Sequence, residues 1–314
     1  MKEEIALITT CTNRKTRAVP KALTARDLPA LPPAGLAKEW VRRLKHAEDR
    51  LPASDLYCGR AFREAQAAAS ENDADLHIIS AGYGFVSAQD LVSPYSVTVS
   101  AGMADSLRSG RRQGDAIALD QWWLRVNAAF GRRQPLSTLV RKAPDSLYVL
   151  AISTPYLDLI RADLDELPDR LLDRLRIIGP PVARQESGGR WLAAAIAYDE
   201  RLDGPDSHCR GTRSDFPQRA ARHFLRTVGR GRLHASIEEH RRLVEESIAD
   251  WRAPRRIDRP RYSDEELRAV IDQMWDQTGG QVGRGLRLLR DKKKIACEQS
   301  RFKRLFWEVA AQKE

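Results

Sequence analysis

Four short apolar runs, each ending abruptly in a polar, glycine or proline cluster, constrain this chain more than any other feature. They are Ile5-Ala6-Leu7-Ile8-Thr9-Thr10, Leu76-His77-Ile78-Ile79-Ser80, Leu147-Tyr148-Val149-Leu150-Ala151-Ile152 and Arg176-Ile177-Ile178-Gly179. Each has the length of a buried strand and is too short for a buried helix. Residues 191–196 fit a fifth strand or a helix equally well, since periodicity does not decide over so short a run. Between the runs lie helical patterns: 36–50, with Leu36, Trp40, Val41 and Leu44 on one face, an Ala-rich stretch over 61–70, and a segment near 156–166. Pro20, Pro29, Pro32 and Pro33 exclude regular helix from 18–35. Strands alternating with helices predict an α/β layered domain with a Rossmann-like parallel sheet.

Beyond residue 204 the strand signals stop. Residues 215–251 read as helix with a break at Gly229-Arg230-Gly231-Arg232, and 252–262 as a basic linker containing Pro254 and Pro260. Ser263 followed by Glu266 is a capping-box pattern that starts a further helix. Gly279-Gly280 ends it, and 281–291 and 297–311 fit two more. The expected organisation is an α/β catalytic domain over 1–204, a helical connector over 205–262, and a helix-turn-helix-like DNA-binding unit over 263–314.

Charge follows the same division. The chain carries a net charge of +10. Residues 1–204 hold 28 Lys and Arg against 26 Asp and Glu, whereas 205–314 hold 25 against 17. A polyanion is therefore the first partner to consider, and the C-terminal region the place for it. Arg284, Arg287, Arg290, Lys292, Lys293, Lys294, Arg301, Lys303 and Arg304 face only Asp291 and Glu298 between residues 279 and 305. The first three, at a spacing of three, suggest a ridge suited to phosphates.

Several classes are disfavoured. No apolar run approaches the roughly 20 residues of a membrane helix. The N-terminus lacks the pattern of a signal peptide, so a soluble, cytoplasmic protein with no membrane partner is expected. Cys11, Cys58, Cys209 and Cys297 are far apart and form no CxxC pair, which indicates neither a disulfide framework nor a zinc site. P-loop and dinucleotide fingerprints are missing, and no metal or nucleotide cofactor is expected.

Candidate site residues sit where the strands end. Cys11, Thr12, Asn13, Arg14 and Lys15 follow the first run, Ser153 the third. Ser80 closes the second, and Gly82 and Gly84 flank Tyr83 in a turn where backbone could approach a ligand. Gly59 and Arg60 precede the Ala-rich helix. Tyr57, Tyr83 and Tyr95 could stack on an extruded base, against the plainer alternative of ordinary packing. Asp90 is the chosen carboxylate for activating water or stabilising a cationic sugar, with Asp55, Asp199 and Glu200 as competitors. Cys11 is a nucleophile only if His77 or His208 comes to it in space.

The elements Asp55-Leu56-Tyr57-Cys58-Gly59-Arg60-Ala61-Phe62 and Ser80-Ala81-Gly82-Tyr83-Gly84-Phe85, with Ser93-Pro94-Tyr95 beyond, are ordered and spaced as in a widespread family of bacterial domains. Cys11, Asn13 and Lys15 match that family's first loop, and the resemblance spans roughly residues 5–200. The family is distantly similar to the uracil-DNA-glycosylase-like α/β fold. Its longer form resembles bacterial antiphage DNA glycosylases that remove glucosylated hydroxymethylcytosine and leave abasic sites. The chain departs from the glycosylase pattern in two places. Cys11-Thr12-Asn13-Arg14-Lys15 stands where an Asp follows strand one, and Ser153-Thr154-Pro155-Tyr156 stands near the position of a His-Pro-Ser element.

These readings combine into an expected function: a DNA glycosylase acting on a modified base in foreign, double-stranded phage DNA. Asn13 would read a base edge, and Asp90 would direct water at C1′. The other DNA contacts would come from Arg14, Lys15 and the C-terminal cations. One rival is a DNA-binding regulator with a nucleotide-sensing domain. The other is a transglycosylase or nucleoside hydrolase, which has no use for so basic a C-terminal region. A lyase step would need an amine, and nothing in the sequence singles out one lysine.

Overall fold

The computed structural model describes residues 4–108, 117–179, 189–255 and 260–313. In chain order its strands are β1 (Ile5–Thr10), β2 (Leu51–Pro52), β3 (Asp75–Ser80), β4 (Gly84–Ser87), β5 (Leu91–Val92), β6 (Leu147–Ala151), β7 (Leu175–Gly179) and β8 (Ala195–Ala197). Six of them form one sheet in the order β4-β3-β1-β6-β7-β8, and β2 pairs with β5 in a separate ribbon. All neighbours in the large sheet run parallel except β4, which returns antiparallel along β3 at the edge. Every residue of β6 and β7 is buried, as are the first five of β1. Burial on both faces makes these runs largely apolar rather than alternating, with Thr9 and Arg176 as buried polar exceptions.

The first unit also contains α1 (Pro33–His46), α2 (Ala53–Leu56), α3 (Arg60–Asn72), α4 (Leu119–Ala129), α5 (Pro135–Lys142), α6 (Thr154–Leu164), α7 (Asp169–Leu172), α8 (Phe216–Val228) and α9 (Ile237–Ile248). Helix α4 packs on α1 and α6, whereas α3 packs on α8 and both of these lie against the sheet. The expected face of α1 is the buried one: Leu36, Trp40, Val41 and Leu44 are all within 2% of full burial. Residues 191–196 turn out to hold both readings, a short 3-10 turn (Arg190–Ala194) leading into β8. Strand β4 and helices α4 and α5 have no counterpart in the sequence expectations. Gly84, at φ +71°, makes the tight return that lets Phe85-Val86-Ser87 pair back along β3.

The chain divides between Pro254 and Arg255, not at residue 204. Helix α8 is the reason. Ala220, Ala221, Phe224, Leu225 and Val228 are buried in the α/β core. The buried Gln218 amide donates to Thr9 Oγ1 (3.2 Å) on β1 and to the Ala151 carbonyl (3.0 Å) on β6. Arg222 pairs with Glu64 and Glu71 of α3, and Arg226 pairs with Glu71. Residues 205–254 are thus part of the sheet's packing and not a connector to something else.

The second unit has its own core of Leu267, Ile271, Met274, Leu289, Phe302, Leu305 and Phe306. It is built from α10 (Asp264–Gln273), α11 (Trp275–Thr278), α12 (Val282–Arg287) and α13 (Gln299–Ala310). Ser263 and Glu266 form the capping box in both directions, at 3.2 and 2.7 Å. Gly279, at φ +57°, takes the left-handed conformation that closes α11. Residues 256–259 of the expected basic linker lie outside the described residues.

A chain cut after Pro254 is predicted to keep a cooperative thermal transition, because it contains α8. One cut after Gly204 is predicted to lose that transition and bind a hydrophobic dye, because the α3 and sheet surfaces under α8 become exposed. Calorimetry of the two truncations checks this.

Candidate functional site

Counted among the parallel strands alone, the order is 2-1-3-4-5, so the direction of winding reverses between β1 and β6. A crevice outside the carboxyl ends of such strands is where open α/β sheets bind ligands. Cys11 follows β1 and Tyr156 lies in the first turn of α6 after β6. The Cys11 thiol and the Tyr156 hydroxyl meet across the reversal at 3.2 Å. The backbone N–H of Ala81, after β3, points to the same sulfur at 3.5 Å.

Beside this pair lies a closed set of hydroxyls. Tyr95 OH is 2.6 Å from Ser80 Oγ and 2.9 Å from Tyr57 OH, and Tyr57 OH donates to Ser80 Oγ at 3.2 Å. Ser80 Oγ also accepts from the backbone N–H of Gly82 (3.2 Å) and Tyr83 (2.8 Å), which fixes the turn after β3. The indoles of Trp40 and Trp122 donate to the carbonyls of Gly82 and Ala81 at 2.8 and 2.7 Å. Burial pushes the phenols of Tyr57, Tyr95 and Tyr156 above the usual tyrosine range, so they stay protonated donors.

Over these rings lies Lys15. Its Nζ is 4.5 Å from the centre of the Tyr95 ring and 5.8 Å from that of Tyr57, and it donates to the Thr12 carbonyl at 3.0 Å. The backbone below it is pinned by a bridge between Lys15 and Tyr57 and by Thr16 N–H to the Leu56 carbonyl (3.0 Å). Thr12 Oγ1 reaches the Cys58 carbonyl at 2.7 Å, completing the tie between the first loop and the Tyr57–Gly59 segment. Among the described residues no carboxylate bonds to Lys15, Cys11, Tyr57, Ser80, Tyr95 or Tyr156. Burial therefore pushes the Lys15 ammonium below the ordinary lysine range, partly offset by the nearby thiols of Cys11 and Cys58.

Three of the expected roles are not what the structure places. Tyr57, Tyr83 and Tyr95 are at most 5% exposed and offer no open ring face to a base. Tyr83 is stacked on Phe130 (centroids 5.5 Å apart), and its hydroxyl accepts from the Ser93 N–H at 2.8 Å. Asp90 lies at the far end of the sheet. The antiparallel register Ser80↔Gly84 to His77↔Ser87 carries the chain back about 10 Å before Asp90 is reached. There its carboxylate accepts from the Ser87 N–H at 2.9 Å and borders a cavity of about 320 Å³ that Tyr83 also lines, with Lys45, Arg50, Phe130 and Arg132. Arg60 turns away from the crevice to pair with the buried Asp215 at 3.1 Å.

The other candidates fall into place as follows. Asn13, Arg14 and Ser153 are exposed, Thr12, Cys58 and Gly59 half-buried. Gly59 starts α3 at φ +106°, with the stem of Arg14 beside it. Neither histidine reaches Cys11: His77 stacks on Phe85, and His208 packs edge-on to Trp251. The competing acids are engaged elsewhere, Asp55 with Ser54 and Asp199 with Arg201. Tyr156 lies in the Ser153-Thr154-Pro155-Tyr156 element that follows the third apolar run, of which only Ser153 counts among the expected site residues.

In the second unit the nine cations separate into two groups. Arg301 and Arg304 pair with Asp264, Arg304 also with Glu308, and Arg290 donates to the Cys297 carbonyl. The expected ridge ends at Arg287, because the backbone passes into a π-helical turn over Leu288–Lys292 that draws Arg290 inward. Arg284, Arg287, Lys292, Lys293, Lys294 and Lys303 stay exposed, with no carboxylate partner among the described residues.

Among the described residues no three His, Cys, Asp or Glu side chains are grouped to hold a metal ion, and no helix is long and apolar enough to cross a membrane. The sequence model of a family of unknown function, DUF6884, matches residues 43–161. That stretch is less than half of the chain. It includes Tyr57, Ser80, Tyr95 and Tyr156 but neither the Cys11–Lys15 loop nor the second unit. No curated protein and no solved structure matches the chain.

Gly82 is the tightest point of the cluster. A Cβ there would stand 2.5 Å from Cε2 of Tyr95, a ring already fixed by two hydroxyls and a lysine. Gly82→Ala is predicted to cost about 1–3 kcal/mol of stability. Gly35→Ala in α1, where only the Leu31 side chain is near at 3.7 Å, should be neutral or gain up to about 1 kcal/mol. Urea denaturation of both variants makes the comparison.

Proposed function

We propose that the protein is a DNA glycosylase of the uracil-DNA-glycosylase-like α/β kind, releasing a modified base from foreign DNA and leaving an abasic site. Glucosylated hydroxymethylcytosine is the substrate class that the sequence resemblance favours. One observation carries the reading. The three sequence elements behind that resemblance contribute Lys15, Tyr57 and Ser80, each more than twenty residues from the next, yet they converge on one hydrogen-bonded cluster at the reversal of the sheet. Lys15 comes from the first, Tyr57 from the second, and Ser80 and Tyr95 from the third.

In this reading the exposed Asn13 and Ser153 face a nucleotide extruded from the helix, whose unstacking costs a few kcal/mol. The buried tyrosines do not stack on it; they hold the floor on which Lys15 rests. Six exposed cations of the second unit, without a carboxylate partner among the described residues, contact phosphates, which makes binding salt-dependent.

A second reading is favoured by one specific fact: no carboxylate reaches the cluster among the described residues, and the water-activating acid of a simple hydrolase is missing there. A DNA-binding regulator needs no such acid. Incubation with unmodified, hydroxymethylated and glucosyl-hydroxymethylated phage DNA, followed by heating in alkali, separates the two. The glycosylase reading expects strand breaks confined to modified DNA and a free base detectable by mass spectrometry. Intact DNA in every lane, with salt-sensitive binding, would replace it with the regulator.

A further inference from the structure

The cluster holds an amine and, among the described residues, no acid. Among the described residues Lys15 is the one lysine whose side chain is not exposed; Lys21, Lys38, Lys45, Lys142, Lys292, Lys293, Lys294, Lys303 and Lys313 all are. It is also the one at the carboxyl ends of the strands. Its Nζ bonds to a backbone carbonyl of its own loop and lies against the faces of two buried tyrosines. A lysine used to contact phosphate needs its charge and gains nothing from being desolvated. A lysine used as a nucleophile needs the neutral amine, and burial with no counter-ion among the described residues favours that form.

We propose that Lys15 is the nucleophile of the reaction, attacking C1′ of the extruded nucleotide in place of an acid-activated water. The inference rests on the glycosylase reading. The amine lone pair forms the N–C1′ bond as the bond from C1′ to the base breaks. The base nitrogen keeps the bonding pair and takes the proton that the amine gives up. The C1′–O4′ bond then opens, O4′ takes a proton from solvent, and an iminium joins Lys15 to C1′. Water adds to C1′ and the C–N bond breaks. The abasic aldehyde is released, and Lys15 leaves as an ammonium that returns its proton to solvent. No oxidant or reductant is consumed. The Thr12 carbonyl accepts one N–H of the amine and so limits the lone pair to the two remaining positions.

The iminium can be captured. The full chain is incubated with a duplex carrying one preformed abasic site, in the presence of sodium borohydride, beside an identical duplex carrying a tetrahydrofuran analogue that has no aldehyde. The expected result is a covalent protein–DNA adduct with the first duplex alone, mapping by tryptic mass spectrometry to the peptide that contains Lys15. Lys15→Arg should reduce the adduct to the level of the tetrahydrofuran control. The mapping on the unaltered protein stands even if that variant folds poorly. An adduct on a different lysine, or none on abasic DNA, overturns the proposal. Base release from modified DNA, measured in parallel, scores the glycosylase reading separately, since the preformed abasic site bypasses excision.

Discussion

An ammonium group with two aromatic rings beneath it and, among the described residues, no carboxylate beside it is an expensive arrangement, and much of the first unit is organised to hold it. A cation over a ring recovers about 0.5–2 kcal/mol, less than the cost of leaving water without a counter-ion, so the balance shifts toward the neutral amine. The rings stay put because their hydroxyls are tied to each other and to Ser80. Ser80 in turn anchors the turn after β3 through two backbone N–H groups. Gly82 leaves room for the Tyr95 ring, and Trp40 and Trp122 close the turn from the helix side. Each of these contacts is individually modest, and their common product is a lysine with one available position.

The sheet sets where this happens. Reversal of the winding between β1 and β6 opens the space that Cys11 and Tyr156 bridge, and Gln218 of α8 ties the same two strands together through Thr9 and Ala151. A helix more than 200 residues after β1 thus supports the strand that carries the first loop. The basic second unit is built separately, around its own aromatic core.

Much of the fold was legible because short apolar runs buried on both faces have few alternatives. The runs at 5–10, 76–80, 147–152 and 176–179 correspond to β1, β3, β6 and β7 within a residue or two. What escaped was information stored in contacts. Strand β4 depends on a glycine return and pairing with β3, and α8 belongs to the sheet through a buried amide and ion pairs that no local pattern displays. The site was partly legible: the strand-end rule reached Cys11, Lys15 and Ser80, and Tyr57 and Tyr95 stood out as rings that could stack on a base. Their roles were not, since burial decides whether a tyrosine stacks on a ligand or supports a neighbour. Asp90 misled because it lies only six residues beyond Gly84, while the antiparallel return of β4 takes it to the other end of the sheet.

The protonation state of one amine decides the chemistry at the strand ends. Reductive methylation with carbon-13 formaldehyde, followed by a pH titration in the nuclear magnetic resonance spectrometer, would read Lys15 directly, with Lys15→Arg assigning its signal. A midpoint below the common value of the exposed, equally methylated lysines is expected. A midpoint at or above that value would show a solvated or ion-paired ammonium, and the acid-free nucleophile would have no physical basis.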